Sequence, residues 1–261
     1  MLVDADPANY EEVSKLSIVL SNSKNKSTFR IIRDGVHGMR LKQFGPITHV
    51  STALNVAALT FDDGPHPEYT PQLLAILRRY KAKATFFMVG ETAERYPDVV
   101  KMVAEDGHVI GNHSWNHPVF TDISGQERRR QIHACSKTLW PYEAKLFRPP
   151  YGCEHFRSHL DARLLGYLVV KWNIAVVDWE TYSADWIADN VIAQISPGCI
   201  ILLHDNLYGA TNPCRKPTLK AVEKLLCKSS KTFQFRSVAD LFTIGKPESS
   251  CKAIGRTAPH L

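Results

Sequence analysis

Two adjacent aspartates, Asp62 and Asp63, directly follow the apolar segment 56–61 and precede Gly64. An apolar run of this length indicates a buried strand, and the C-terminal ends of strands in α/β sheets are where ligand-handling side chains lie. Two charges set at such an edge do not suit a hydrophobic core. The pair therefore predicts a functional site.

A second cluster contains His113 and His117, which are four positions apart. On one helical turn, residues at this spacing project from the same face, with their Cβ atoms about 5–6 Å apart. One carboxylate together with two such imidazoles makes a set of three metal ligands. Because three protein ligands leave one coordination position open for water, the set is typical of a catalytic metal site and not of a closed structural one. The sequence thus predicts a metal-dependent enzyme.

Length and composition are those of an ordinary globular protein. The chain has 261 residues, of which 44% are hydrophobic and 22% are charged, and these values predict one catalytic domain with a large core. The net charge of +6 is mild and the basic clusters are short, so we do not expect a nucleic-acid partner. No apolar run approaches the ~20 residues that a membrane span requires. Nothing in the composition points to an oligomeric state.

The cysteines and the N-terminus bear on the cellular compartment. Six cysteines could form three disulfides, but none are in CxxC spacing and a chain of this length needs no covalent cross-links. Residues 1–10 carry two aspartates and no basic start, which is unlike a secretory signal. Free thiols and a cytoplasmic location are therefore favoured over disulfides and secretion, although a mature secreted fragment would also fit.

From residue 56 onward, short apolar runs alternate with amphipathic segments. Thr70-Pro71 is predicted to be the N-cap and first residue of a helix, and residues 84–89 are the following strand. The next helix is predicted to begin at Pro97 and to end at Gly107. This alternation implies parallel strands, and most candidate motifs follow a strand, as in a (β/α) barrel. The later strands are predicted at residues 145–147, 168–177, 199–203 and 233–236.

The chain divides into three segments. Residues 1–54 mix polar stretches with one plausible strand, Thr28–Ile32, and we interpret them as an N-terminal extension that packs on the barrel. Residues 55–245 form the catalytic domain, and residues 246–261 form a C-terminal tail.

Five short motifs stand in order between residues 55 and 242. They are Thr60-Phe61-Asp62-Asp63-Gly64, His113-Ser114-Trp115-Asn116-His117, Arg148-Pro149-Pro150-Tyr151, Asp178-Trp179 and Leu202-Leu203-His204. Together they resemble the motifs of the NodB-like polysaccharide deacetylases, carbohydrate esterase family 4. The resemblance implies an α/β fold, a distorted (β/α) barrel. It also implies a metal-dependent hydrolase that removes N-acetyl groups from a glycan containing N-acetylglucosamine, such as chitin oligomers or peptidoglycan.

The resemblance implies roles for four residues of the first two motifs. Asp62 is the general base, and Asp63 is a metal ligand. His113 and His117 are the other two ligands. Zinc is the expected divalent ion, and cobalt or nickel would fit the same ligands, because the order of affinities does not itself select the metal.

The remaining three motifs imply groups that orient the base, stabilise the oxyanion, supply the general acid and line a pocket for the acetyl group. Arg148 orients the base, and the backbone N–H of Tyr151 stabilises the oxyanion. His204 is the general acid, and Asp178 keeps it cationic. Trp179 and Leu202 wall the pocket for the acetyl methyl group. The residues predicted to contact the substrate are therefore Tyr151, Trp179 and Leu202.

One position departs from the family pattern. The fourth motif usually carries another aspartate three positions before Asp178, and this chain has Ala175 there. Because Asp178 is retained, the departure bears on loop packing or the fit of the substrate more than on the chemistry. Several aromatic side chains near the predicted loops could stack on sugar rings; they are Trp115, Trp172, Tyr182, Trp186 and Tyr208.

Two functions of other classes stay open. Two histidines and one carboxylate also hold Fe(II) in oxygenases, but an oxygenase has no need of an acid such as His204 supported by Asp178. A carbohydrate-binding protein that has kept the fold and lost turnover would require a blocked groove or a displaced loop.

Overall fold

The structure, a computed structural model, describes residues 45–153, 155–211 and 213–249. The predicted strand Thr28–Ile32, most of the predicted N-terminal extension and residues 250–261 of the predicted tail lie outside these ranges. The division of the chain into three segments therefore stays a prediction.

The described residues form ten strands, most of them parallel, and eight α-helices. The strands are β1 His49–Ser51, β2 Val56–Asp62, β3 Ala84–Met88, β4 Val109–Asn112, β5 Glu143–Phe147, β6 Leu168–Val169, β7 Ile174–Ala175, β8 Ile200–His204, β9 Gln234–Phe235 and β10 Lys246–Glu248. The helices are α1 Tyr69–Arg79, α2 Gly90–Arg95, α3 Pro97–Glu105, α4 Gly125–Leu139, α5 Phe156–Leu164, α6 Ala184–Gln194, α7 Lys216–Ser229 and α8 Val238–Ile244, with a 3₁₀ turn at Pro150–Gly152.

In the part of the chain that the structure describes, eight strands form one curled sheet. Its order is β6-β5-β4-β3-β2-β8-β7, and β9 also pairs with β2. Every pairing in this sheet is parallel, whereas β1 and β10 form a separate antiparallel pair. Because β6 and β7 lie at opposite edges, the sheet curls without closing. The predicted distorted (β/α) barrel is confirmed.

The segment predicted as one strand over residues 168–177 is in fact two short strands. β6 pairs with β5 at one edge of the sheet, and β7 pairs with β8 at the other. Between them the chain crosses the opening of the barrel, where Val170 forms a bridge with Ile47 and the side chain of Asn173 accepts the N–H of Ile200. The single-strand prediction was wrong because the two halves of the apolar segment pair with strands at opposite edges of the sheet, a difference that apolar patterning does not reveal.

The strand that carries the two aspartates lies at the centre of the sheet. All seven residues of β2 are buried, as expected when both faces of a parallel sheet are covered. Leu59 and Phe61 pack with Leu73 of α1 in the largest apolar cluster. Ala58 belongs to a second cluster that includes Phe87. Packing on both faces fixes the position of the strand end at which the site begins.

The start of α1 differs from the prediction by its capping residue. The helix begins at Tyr69 with Glu68 at the N-cap, so the predicted cap at Thr70 was wrong. The Nδ1 atom of His66 accepts the N–H groups of Glu68 and Tyr69 at 3.1 Å each, and it thereby satisfies donors that a helix leaves unpaired. Thr70 lies inside the helix, where its hydroxyl donates to the carboxylate of Asp205.

Other local predictions agree with the structure. α3 begins at Pro97, and Gly107, with a φ of 74°, follows its end. No helix in the described ranges is both long enough and apolar enough to cross a membrane. The cysteines within those ranges are free thiols, as expected; they are Cys135, Cys153, Cys199, Cys214 and Cys227.

Candidate active site

The predicted site residues meet at the C-terminal edge of the parallel sheet. Asp62 is the last residue of β2 and His204 is the last residue of β8, and the two are partners in the strand register. His113 directly follows β4, and Arg148 directly follows β5. Because neighbouring parallel strands end at the same edge, residues far apart in sequence become neighbours in the fold.

Asp63, His113 and His117 form a cluster whose candidate metal-binding atoms lie within 4.8 Å of one another. Asp63 Oδ1 is 3.5 Å from His113 Nε2 and 3.2 Å from His117 Nε2. The Nδ1 atom of His113 lies 2.7 Å from the backbone oxygen of Arg148, so Nδ1 carries the proton and donates, which leaves a lone pair on Nε2. Two imidazoles and a carboxylate oxygen are a donor set that suits a divalent ion.

The carboxylate of Asp63 gives an independent reason to expect a cation. Its Oδ1 atom is buried and has no hydrogen-bond partner among the described residues. Because a buried charge without a partner is costly, the residues present fit the metal ion that the sequence predicts.

The two histidines do not lie on a helical turn, and this part of the prediction was wrong. They belong to a loop with positive φ at Ser114 (69°) and His117 (54°). The side-chain oxygen of Gln131 accepts the N–H groups of Trp115 and Asn116 at 3.1 Å each, and these bonds hold the loop against α4. The two imidazole rings nevertheless come together, with centroids 4.9 Å apart.

Arg148 is fully buried and binds Asp62. Its Nη1 atom donates to Asp62 Oδ1 and to Thr60 Oγ1, each at 2.7 Å. Its Nε and Nη2 atoms donate to two backbone oxygens beyond β6, at 3.2 and 2.9 Å. Asp62 Oδ2 lies 3.8 Å from His113 Nε2. The arginine thus binds one oxygen of Asp62 and leaves the other directed towards the metal cluster, as a general base at this site requires.

His204 and Asp178 form the second charge pair of the site. His204 Nδ1 is 2.8 Å from Asp178 Oδ1. Asp178 Oδ2 accepts the backbone N–H of His204 and the hydroxyl of Thr218, each at 3.0 Å. Burial lowers the pKa of His204, but Asp178 more than offsets this and raises the pKa to about 9. The pair therefore presents a cationic imidazole at neutral pH, which can donate a proton.

The residues predicted to contact the substrate lie beside these groups. Tyr151 has a φ of 56° and is 70% exposed, and its ring lies 4.5 Å from that of His117. The ring of Trp179 is 5.2 Å from that of His204, in an edge-to-face arrangement. Leu202 is buried in β8. Their roles towards the substrate stay predictions.

The aromatic candidates for sugar stacking have different surroundings. Trp186 is 38% exposed and stacks on Tyr182 with ring centroids 4.0 Å apart. Trp172 instead packs against the buried guanidinium of Arg148, 5.3 Å from its ring centroid. Ala175 is exposed in β7, so the departure from the family pattern leaves no gap in the core.

Several supporting residues escaped prediction from the sequence. Thr218 and Arg215 both donate to Asp178, the latter to its backbone oxygen at 2.8 Å. The side-chain amide of Asn206 donates to the backbone oxygen of Asp63 at 3.1 Å. Threonine, arginine and asparagine are common outside active sites, and no motif marks them. The one available signal was the proximity of Asn206 to His204 in the chain.

Comparisons with known proteins agree with this geometry. The polysaccharide deacetylase family model matches residues 49–170. A peptidoglycan-N-acetylglucosamine deacetylase of Bacillus cereus is 38% identical over 72% of this chain and 69% of its own length. A chitooligosaccharide deacetylase of Azorhizobium caulinodans is 38% identical over 56% of this chain and 72% of its own length.

A solved structure shows the same fold. The crystal structure of a peptidoglycan N-acetylglucosamine deacetylase in complex with 4-naphthalen-1-yl-N-oxidanyl-benzamide matches with a TM-score of 0.72 at 32% identity, covering 80% of this chain and 97% of that one. Sequence, fold and the gathering of the five motifs at one sheet edge agree, and this chain belongs to the polysaccharide deacetylase family.

Proposed function

We propose that this protein hydrolyses the acetamide of N-acetylglucosamine units in a glycan, releasing acetate and leaving a free amine. The observation that carries the proposal is the convergence of three groups at one sheet edge: the Asp63–His113–His117 cluster, the base Asp62 and the acid His204. The names of the related deacetylases point to peptidoglycan or chitooligosaccharides as the class of substrate.

Asp63, His113 and His117 would hold one divalent ion, and we propose zinc, with cobalt or nickel able to use the same ligands. Such an ion polarises the acetamide carbonyl and makes a water molecule more acidic. The other steps belong to side chains of this chain. Asp62, held through one oxygen by Arg148, accepts a proton from the attacking water through its other oxygen.

Departure of the amine requires a proton, because an unprotonated amide nitrogen is a poor leaving group. His204 supplies it, since its pairing with Asp178 favours the cationic form at neutral pH. The backbone N–H of Tyr151 is proposed to donate to the oxygen that gains negative charge. Trp179 and Leu202 are proposed to line the space for the acetyl methyl group.

The two rival functions make different demands on these residues. An Fe(II) oxygenase would use the same three ligands, but it would have no role for the His204–Asp178 pair or for the base bound to Arg148. A silent carbohydrate-binding protein would have no need to retain a proton acceptor and a proton donor at the same edge. The full set of charged groups therefore favours hydrolysis.

Acetate release tests the proposal directly. Protein stripped of metal and then loaded with Zn²⁺ is incubated with N-acetylglucosamine oligomers and, separately, with peptidoglycan, and free acetate is measured. We expect release that depends on the ion and is lost in Asp62→Asn. His133, an exposed histidine on α4, provides a matched control, and His133→Ala should keep full activity. Zinc-loaded protein that binds these glycans without releasing acetate would instead identify a binding protein.

A further inference from the structure

Asp63, the proposed metal ligand, is held in place by groups from the loop that follows β8. Its backbone has a positive φ of 71°, which is uncommon for a residue with a side chain. Its Oδ2 atom accepts the backbone N–H of Tyr208 at 3.1 Å, and its backbone oxygen accepts the side-chain amide of Asn206 at 3.1 Å. Both donors lie in the loop that follows β8. The carboxylate is therefore divided, with Oδ2 engaged by the loop and Oδ1 left facing the two histidines.

The same loop is anchored to α2. The phenol of Tyr208 donates a hydrogen bond to the carboxylate of Glu91, in the first turn of that helix. The backbone N–H groups of Gly90 and Glu91 donate to the backbone oxygens of Ser114 and Trp115, each at 2.9 Å. These two acceptors lie in the loop that carries both histidine ligands. The start of α2 thus connects the segment that holds Asp63 with the segment that supplies the other two ligands.

We propose that Asn206, Tyr208 and Glu91 form a strap that orients Asp63 as a one-oxygen ligand and thereby sets the affinity of the site for its metal. A carboxylate with both oxygens available can bind a metal through either or both, whereas a hydrogen bond to one oxygen leaves a single defined ligand atom. Partners of this kind typically contribute about 10–100-fold to metal affinity. These three are positioning residues, because they act through Asp63. The inference rests on the proposed function, in which Asp63 binds the metal.

Substitutions of Tyr208 and Glu91 test whether their hydrogen bond positions Asp63, separately from any contact of the Tyr208 ring with a sugar. Tyr208→Phe removes the hydrogen bond to Glu91 but keeps the aromatic ring, so any stacking of that ring on a sugar is retained. Glu91→Ala removes the acceptor, whereas Glu91→Gln keeps an oxygen that can accept. Tyr80→Phe makes the same chemical change at the C-terminus of α1, and it serves as the matched control.

The readout is the dissociation constant for Zn²⁺ alone, measured by competition with a coloured chelator. We expect Tyr208→Phe and Glu91→Ala each to weaken binding by roughly 10-fold, and the double variant to be no weaker than either one, because both break the same bond. Glu91→Gln and Tyr80→Phe should stay close to wild type. The visible spectrum of the Co²⁺-loaded protein should change in the two weakened variants, because the carboxylate then coordinates differently.

Thermal unfolding of the metal-free proteins shows whether the strap only stabilises the fold. We expect the metal-free midpoint of Tyr208→Phe to match that of Tyr80→Phe. Equal Zn²⁺ affinity in wild type and Tyr208→Phe would overturn the strap while leaving the proposed function intact. A loss of affinity in Glu91→Gln as large as in Glu91→Ala would also overturn it, since the bond would then not be the cause. A wild-type protein without Zn²⁺ binding would overturn the proposed function and the strap together.

Discussion

Replacing Asp178 with asparagine should move the alkaline limb of the pH–rate profile to lower pH. Asp178 Oδ2 accepts two hydrogen bonds, from the backbone of His204 and from Thr218, so the amide oxygen of the asparagine must take that position. The amide nitrogen then faces His204 Nδ1, which lies 2.8 Å from the present Oδ1 atom. A cationic imidazole has an N–H at Nδ1, and two donors would meet there. The variant therefore disfavours the protonated form of His204.

The size of the effect follows from the pKa of His204. Burial lowers this pKa, but Asp178, with smaller contributions from Asp63 and Asp62, raises it to about 9 from an ordinary value of 6.5. At pH 7 a group with a pKa of about 9 is about 99% protonated, whereas one at 6.5 is only about a quarter protonated. Burial persists in the variant and opposes the charge, so the pKa of His204 should fall towards its ordinary value. The cationic form of His204 is present below its pKa and lost above it. The alkaline limb of the pH–rate profile must therefore move to lower pH.

A bound divalent ion would lower the pKa of His204 in the wild type, but Asp178→Asn should still lower that pKa further. Asp62 and Asp63 also raise the pKa of His204, and a divalent ion beside Asp63 would offset their contribution. We therefore expect the alkaline limb of the metal-loaded enzyme below pH 9 in the wild type. The contribution of Asp178 remains, since it comes from direct contact with the imidazole.

The assay is acetate release from an N-acetylglucosamine oligomer, measured as kcat/KM between pH 5 and pH 10 with saturating Zn²⁺. Asp178→Asn should lose activity mostly on the alkaline side and keep more of it near pH 5. Thr218→Val is the matched control, because it removes a donor that competes for the charge of Asp178, and its limb should move slightly to higher pH. An alkaline limb that stays in place in Asp178→Asn would refute the assignment of His204 as the acid that Asp178 supports.

Three other substitutions test the remaining roles. His117→Ala should remove most bound metal and most activity together, as measured by elemental analysis, while His133→Ala retains both; full metal occupancy in His117→Ala would contradict the ligand set. Asp62→Asn should lower turnover by roughly 10²–10⁴-fold with metal still bound, and loss of metal instead would mean that Asp62 and Asp63 have exchanged roles. His204→Ala should cost far less on an activated acetyl ester than on the acetamide, because an alcohol needs less protonation to leave; equal losses would show that His204 has another role.

The position of the site could be predicted because parallel topology makes strand ends meet. Asp62 and Asp63 follow an apolar run, and that pattern alone placed them at the C-terminal end of a buried strand, as the structure shows. The residue types then indicated the chemistry, since adjacent carboxylates and paired imidazoles have few purely structural uses. Resemblance to a family added Arg148, whose guanidinium reaches Asp62 across 86 positions of sequence.

The local conformation of the histidine loop could not be predicted from spacing. Four positions between His113 and His117 suit a helical turn, but the backbone instead bends through positive φ at Ser114 and His117. The bend is held by one local and two tertiary hydrogen bonds: Asn112 Oδ1 accepts the N–H of Ser114 at 3.0 Å, and Gln131 of α4 accepts the next two N–H groups. Hydrogen bonds to Asn112 and to Gln131 of a different helix therefore fix a loop where the spacing of the histidines alone suggested a helical turn.

The three carboxylates Asp62, Asp178 and Asp63 at the sheet edge differ in their positively charged partners. Asp62 is paired with Arg148, and Asp178 is paired with His204. Asp63 Oδ1 lies further from its two imidazoles, at 3.5 and 3.2 Å, and the hydrogen bond from His113 Nδ1 to a backbone oxygen leaves the lone pair of Nε2, and not a proton, directed at the carboxylate. Among the described residues, Oδ1 of Asp63 has no hydrogen-bond donor. A divalent ion held by Asp63, His113 and His117 would give Asp63 the positive partner that Arg148 and His204 give the other two carboxylates, and the donors from Asn206 and Tyr208 hold Asp63 in position for it.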